Sequence, residues 1–95
     1  LRLTWSDTSI ESVAQLEEHL LRFSRSSATR WVNRIRASAR DAARFPRSHR
    51  VVPEVGEEHI REFFVGPYRV WFRIYDAEQR IDILVVFHGA RQVPI

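Results

Sequence analysis

The stretch Gly66–Asp76, "GPYRVWFRIYD", decides how the rest of the chain is read. With the two-residue period of a β-strand, Tyr68, Val70, Phe72 and Ile74 share one face, and Arg69, Trp71, Arg73 and Tyr75 share the other. The first set needs only a core. The second alternates fixed cations with large rings, an unusual composition for a merely solvated face.

On either side the strand pattern continues. "HIREFFV" is a strand bounded by Gly66-Pro67, "DAEQ" is a turn, and "RIDILVVFH" is the last strand, closed by Gly89 and the short tail "RQVPI". Along that last strand Ile81, Ile83, Val85 and Phe87 alternate with Asp82, Leu84, Val86 and His88. Strict alternation puts His88 on the face that carries Arg69, near its rim.

Further upstream the period changes. "LRLTW" alternates as a short first strand, and Ser6 or Asp7 then offers a helix cap. Ile10, Val13, Ala14, Leu16, Leu20 and Phe23 recur at helical spacing, so a first helix runs to about Phe23. A second begins after a cap at Ser26 or Ser27. Ala28, Trp31, Val32, Ile35, Ala39 and Ala42 form its apolar stripe, and Pro46 ends it. Helices separated by so short a break form an antiparallel hairpin. The order β-α-α-β-β-β is an α+β domain, residues 1–95, with the hairpin on one face of an antiparallel sheet. The hairpin covers one face only, so Arg69, Trp71, Arg73 and Tyr75 are expected on an open one.

Composition bounds the chemistry. Ninety-five residues, 44% apolar, support one core. There is no apolar run long enough to span a membrane and no visible secretory signal, though the chain lacks an initiator Met. Cysteine is absent, so disulfides and cysteine-ligated metal are excluded, in keeping with a cytoplasmic location. All 15 basic residues are arginine. Lysine general-base or Schiff-base chemistry is therefore excluded, and every cation is a planar fork suited to phosphate or carboxylate. His19, His49, His59 and His88 show no ligand spacing, so neither a metal nor another cofactor is expected.

Two constellations remain. Glu54, in the loop before the second strand, and Arg91, after the last, can reach the rim near His88; the facing of Arg61 is open. A carboxylate, an imidazole and guanidiniums around one concavity suit RNA cleavage by 2′-OH attack. Glu54 or His88 would be the base, His88 the acid, and Arg69, Arg73 and Arg91 the clamp, with Trp71 or Tyr75 stacking a base. Equally, His88 is a plain surface residue and Glu54 pairs with Arg50 or Arg61. The second constellation is the polar face of the second helix, where Arg30, Arg34, Arg36, Arg40 and Arg44 are opposed only by Asp41. It is either a solvated face or an electropositive surface for an acidic segment or nucleic acid.

Together, "RVVPEV", "HIREFFVGPYRVWFRI" and "IDILVVFHGARQVP" in this element order resemble the RelE/ParE superfamily of bacterial type II toxins. The resemblance implies a cytoplasmic toxin wrapped by an antitoxin segment, which Trp31, Arg30, Arg34, Arg36 and Arg40 would receive. The "VPE…IRE…HGAR" pattern is closer to plasmid-stabilisation, ParE-type chains, which poison DNA gyrase; Arg61, Trp71, Arg73, Tyr75 and Arg91 would then contact the target. The alternative is a RelE-like, metal-independent endoribonuclease acting on ribosome-bound mRNA. In that branch Glu54, Arg69 and His88 match the catalytic places, although the lysines of other members are missing.

Overall fold

The computed structural model describes residues 1–91 together with 93 and 94; part of the "RQVPI" tail lies outside the described residues. Strand β1 (Arg2–Trp5) leads directly into helix α1 (Asp7–Leu21), followed by α2 (Arg25–Arg44). After a single 3₁₀ turn at Pro46–Ser48 come β2 (Arg50–Val51), β3 (Ile60–Val65), β4 (Tyr68–Tyr75) and β5 (Arg80–His88). The strands form one sheet in the order β1-β5-β4-β3-β2. The α+β architecture expected from the sequence is present, with two refinements. The two-residue β2 extends the sheet from within the expected loop, and the β1–β5 pair is parallel, so the sheet is mixed.

Local chemistry sets the helix limits. Ser6 caps α1, its Oγ accepting the Ser9 N–H at 3.0 Å. Ser24, not Ser26 or Ser27, caps α2 through the Ser27 N–H. Pro46 closes α2, as its ring requires. The α2 stripe is buried at Ala28, Val32, Ile35, Ala39 and Ala42, and Trp31 packs at its margin. The α1 stripe is poorer. Val13 is buried, but Ile10 and Phe23 are 56% and 75% exposed, and α1 stops at Leu21. The core lies between the hairpin and the sheet face made by Phe63, Val65, Tyr68, Val70, Phe72, Ile74, Ile81, Ile83 and Val86.

β4 keeps its alternation throughout, but β5 does not. Trp71 pairs with Val85 while Phe72 pairs with Ile83, so Leu84 is an extra residue, a β-bulge. One inserted residue reverses the facing of everything beyond it. Val86 and His88 therefore turn toward the hairpin, opposite Val70 and Tyr68, and Val85 and Phe87 turn away, opposite Trp71 and Arg69. Backbone groups at the bulge find partners on α1: Ser6 Oγ donates to the Leu84 carbonyl at 3.1 Å, and Ser12 Oγ accepts the Val86 N–H at 3.0 Å. β1 ends opposite Ile83, so the serines of α1 take over where β1 stops. Among the described residues, no helix is long and apolar enough to cross a membrane.

Candidate functional site

The face of β4 turned away from the hairpin carries Arg69, Trp71, Arg73 and Tyr75, as the alternation requires. It is not open. Arg69 and Trp71 are only 7% and 4% exposed. A second small core closes over them, with Val52 and Ile60 from the β2–β3 segment packing on Trp71, and Leu84, Val85, Phe87 and Val93 around it. The expectation of an exposed cationic face is corrected there. The loop that follows β2 folds back on the sheet, a tertiary contact that strand period cannot report.

Arg69 sits at the centre of this layer. Its Nη1 and Nη2 each donate to one carboxylate oxygen of Glu54 at 2.7 Å, and its Nε donates to Glu62 Oε1 at 2.8 Å. The fully buried Glu62 carboxylate also accepts from Trp71 Nε1 at 3.0 Å and from Arg50 Nε at 2.6 Å. Two carboxylates face two guanidiniums, so the cluster is neutral, and Nε, Nη1 and Nη2 of Arg69 are all engaged. Phe87 stacks 5.3 Å from the Arg69 guanidinium. Hydrogen bonding by Arg69 holds the Glu54 carboxyl down at about 2, well below its ordinary value. A carboxylate so fixed is a weak base for a 2′-OH proton. The reading of Glu54 as an ion-pair partner rather than a free rim group holds, with Arg69 as the partner instead of Arg50 or Arg61.

His88 lies across the sheet from this cluster. Its ring meets Tyr68 edge-on at 5.8 Å, and its Nδ1 accepts the Ala90 N–H at 3.2 Å, which puts the proton of the neutral ring on Nε2. With Ser12, Gln15, Leu16, His19, Tyr68, Val86, Phe87 and Arg91 it lines a cavity of about 290 Å³ beside α1. Strict alternation placed His88 with Arg69; the Leu84 bulge separates them, and no feature of the composition near Leu84 announces it. This pocket was not foreseen, because it needs both the bulge and the position of α1.

The other expected contact residues are dispersed. Arg61 donates to the Glu58 and His49 carbonyls and to the Glu58 carboxylate, so its donors hold the β2–β3 segment. Arg73 pairs with Glu57 at 3.1 Å and remains partly exposed. Tyr75 stacks under Arg80, whose guanidinium lies 4.1 Å from the ring, at the opposite end of β4 from Arg91.

On α2, Trp31 packs against Tyr68 at 5.4 Å and carries the Arg34 guanidinium 4.5 Å from its ring. Arg36 borders a shallow groove of about 240 Å³ with Trp5, Ile10 and Val13. Among the described residues, none of Arg25, Arg30, Arg34, Arg36, Arg40 and Arg44 forms an ion pair, whereas Arg47, Arg50, Arg61, Arg69 and Arg73 all do. The arginines of α2 are therefore unneutralised, whereas Arg50, Arg69 and Arg73 around the far face of the sheet are paired with carboxylates.

This fold and charge distribution can be set beside known proteins. Residues 3–93 match the family described as ParE toxin of type II toxin-antitoxin system, parDE. The chain belongs to that family, and so to the RelE/ParE toxins of type II toxin–antitoxin systems. Among solved structures it is similar to the chromosomal ParDE toxin–antitoxin system from P. aeruginosa, at a TM-score of 0.75 and 15% identity over 93% of this chain and 95% of that one. It is also similar to the toxin–antitoxin complex RelBE2 from Mycobacterium tuberculosis, at 0.60 and 21% over 95% and 92%. A comparison with curated protein sequences finds no match.

Proposed function

We propose that this toxin acts in the cytoplasm by poisoning DNA gyrase and is held inactive by an antitoxin whose acidic, amphipathic segment lies along the hairpin. The observation that supports gyrase over mRNA cleavage is the separation of the acid–base set. Cleavage by 2′-OH attack needs a base, an acid and free cations around one phosphate. Here Arg69 is saturated by Glu54 and Glu62 beneath the sheet, while His88 opens on the hairpin side. A poison needs only a binding surface. Arg73 and Tyr75 are the members of the expected target-contact set that keep exposed area on the far face.

For the antitoxin, the exposed arginines Arg30, Arg34, Arg36 and Arg40, the ring of Trp31 and the groove beside Ile10 supply charge and apolar seats together. The test of the target is a supercoiling assay with purified gyrase. Cleaved, gyrase-bound plasmid should accumulate with the wild-type chain and equally with His88→Ala. Unaffected gyrase at large toxin excess, with A-site mRNA cleavage that His88→Ala abolishes, would overturn the reading in favour of the endonuclease.

A further inference from the structure

We propose that the cavity between α1 and the end of β5 is a binding site for an organic carboxylate about the size of one apolar amino-acid residue. Its volume is about 290 Å³, near the lower end for ligand pockets. Leu16 and His19 stand three residues apart on α1 and so share a face of that helix. Val86 and His88 are alternate residues of β5 beyond the bulge, and both turn toward the hairpin. Each wall thus supplies one apolar side chain and one imidazole, and the Tyr68 ring, edge-on to His88, packs beside them. None of the lining residues is acidic. Glu11, a turn earlier on α1, is held by the Gln15 amide at 3.2 Å and stays out of the lining.

Three donors of this lining are unspent. His88 Nδ1 accepts the Ala90 N–H, which leaves Nε2–H for a ligand. Tyr68 is buried, yet its hydroxyl has no hydrogen-bond partner among the described residues. Every fully buried polar side-chain atom among those residues does have one, so the hydroxyl opens on the cavity. Burial raises the pKa of this phenol and the positive charge of Arg91 opposes the rise, so the Arg91 guanidinium lies within electrostatic reach of it. Arg91 forms no ion pair among the described residues. A phenol, an imidazole N–H and a guanidinium around one opening, with no acid among them, suit an anion. Leu16 and Val86 select its kind. Phosphate is polar on every side and would leave both without a partner. A carboxylate on an apolar body meets the donors and covers these two side chains as well. The inference uses none of the α2 arginines and stands or falls separately from the gyrase reading.

The test is a titration of the purified chain with N-acetyl-leucine, followed by the backbone amide NMR shifts. The shifts of Leu16, His19, Val86 and His88 should saturate with a Kd of roughly 2 mM, what a ligand of about a dozen non-hydrogen atoms allows. N-acetyl-leucinamide, which lacks the charge, should bind about tenfold more weakly. Arg91→Gln should cost a similar factor with an unchanged melting curve, because the side chain is exposed. Arg2→Gln removes the same charge at the opposite end of the β1–β5 pair and should keep the wild-type affinity. A short peptide ending in Leu separates the two sources of such a group: tighter binding than N-acetyl-leucine assigns a peptide C-terminus, and equal or weaker binding assigns a free small acid. Absence of saturable shifts at the cavity, an amide that binds as well as the acid, inorganic phosphate binding more tightly than the acid, or Arg91→Gln losing no more than Arg2→Gln would each overturn the proposal.

Discussion

Glu62 shows how much a single buried side chain can organise. Its carboxylate gathers Arg50, Arg69 and Trp71, so losing its charge leaves the cluster with one positive charge in excess and the buried Arg69 with Glu54 as its remaining carboxylate. Glu62→Gln is expected to destabilise the fold by about 3–5 kcal/mol, measured by urea unfolding. A change within about 0.5 kcal/mol would mean the cluster is only filling space. Glu54 makes a pH prediction. Its native pKa lies near 2, below the ordinary 4.5, so the unfolded chain takes up a proton first as pH falls. Stability from the Glu54–Arg69 pair is complete above pH 4.5 and is lost as pH drops toward 2. Glu58 and Asp76, held below their ordinary values by hydrogen bonds from Arg47, slope the same way. Glu54→Gln should flatten the acid limb of the stability–pH curve; an unchanged limb would show that the pair does not couple to folding.

At the level of elements, the β3–β4 turn is locked against α2. Gly66 has φ of +55°, and a Cβ there would lie 2.3 Å from Trp31 Cη2. Gly66→Ala is expected to cost about 1–3 kcal/mol from backbone conformation and steric conflict together. Adding Trp31→Ala should restore part of that loss, since the clash disappears while the φ penalty remains. Chemical denaturation of the three variants measures the coupling. Strict additivity would show that the turn and the helix do not touch in solution. Element identities were legible from the sequence: β4, β5, the α2 stripe and the Pro46 stop follow from period and stereochemistry. The α1 stripe misled at Ile10 and Phe23 because helical spacing marks a face without showing that anything covers it.

For the whole molecule, the decisive property is where charge remains free. Arg47, Arg50, Arg61, Arg69 and Arg73 are consumed by Glu54, Glu57, Glu58, Glu62 and Asp76, and among the described residues the α2 arginines are not so paired. Surface charge steers association and is screened by salt. Arg30→Gln/Arg34→Gln should therefore slow antitoxin association at low salt by about tenfold or more and leave a much smaller difference at high salt. Stopped-flow mixing reads this directly. Association rates equal to wild type at every ionic strength would remove the hairpin from the encounter.

Read alone, the chain specified its class, its element order, the two faces of β4 and the family, because these depend on short-range period, turn stereochemistry and motifs written in consecutive residues. The candidate site was legible in its residue types but not in its arrangement. Glu54, Arg69 and His88 were all singled out, yet one bulged residue at Leu84 sends His88 through the sheet, and the Val52–Ile60 segment seals Arg69. Both outcomes depend on strand register and on a loop packing across many residues of chain, and register beyond a bulge belongs to the folded sheet rather than to any local run of letters.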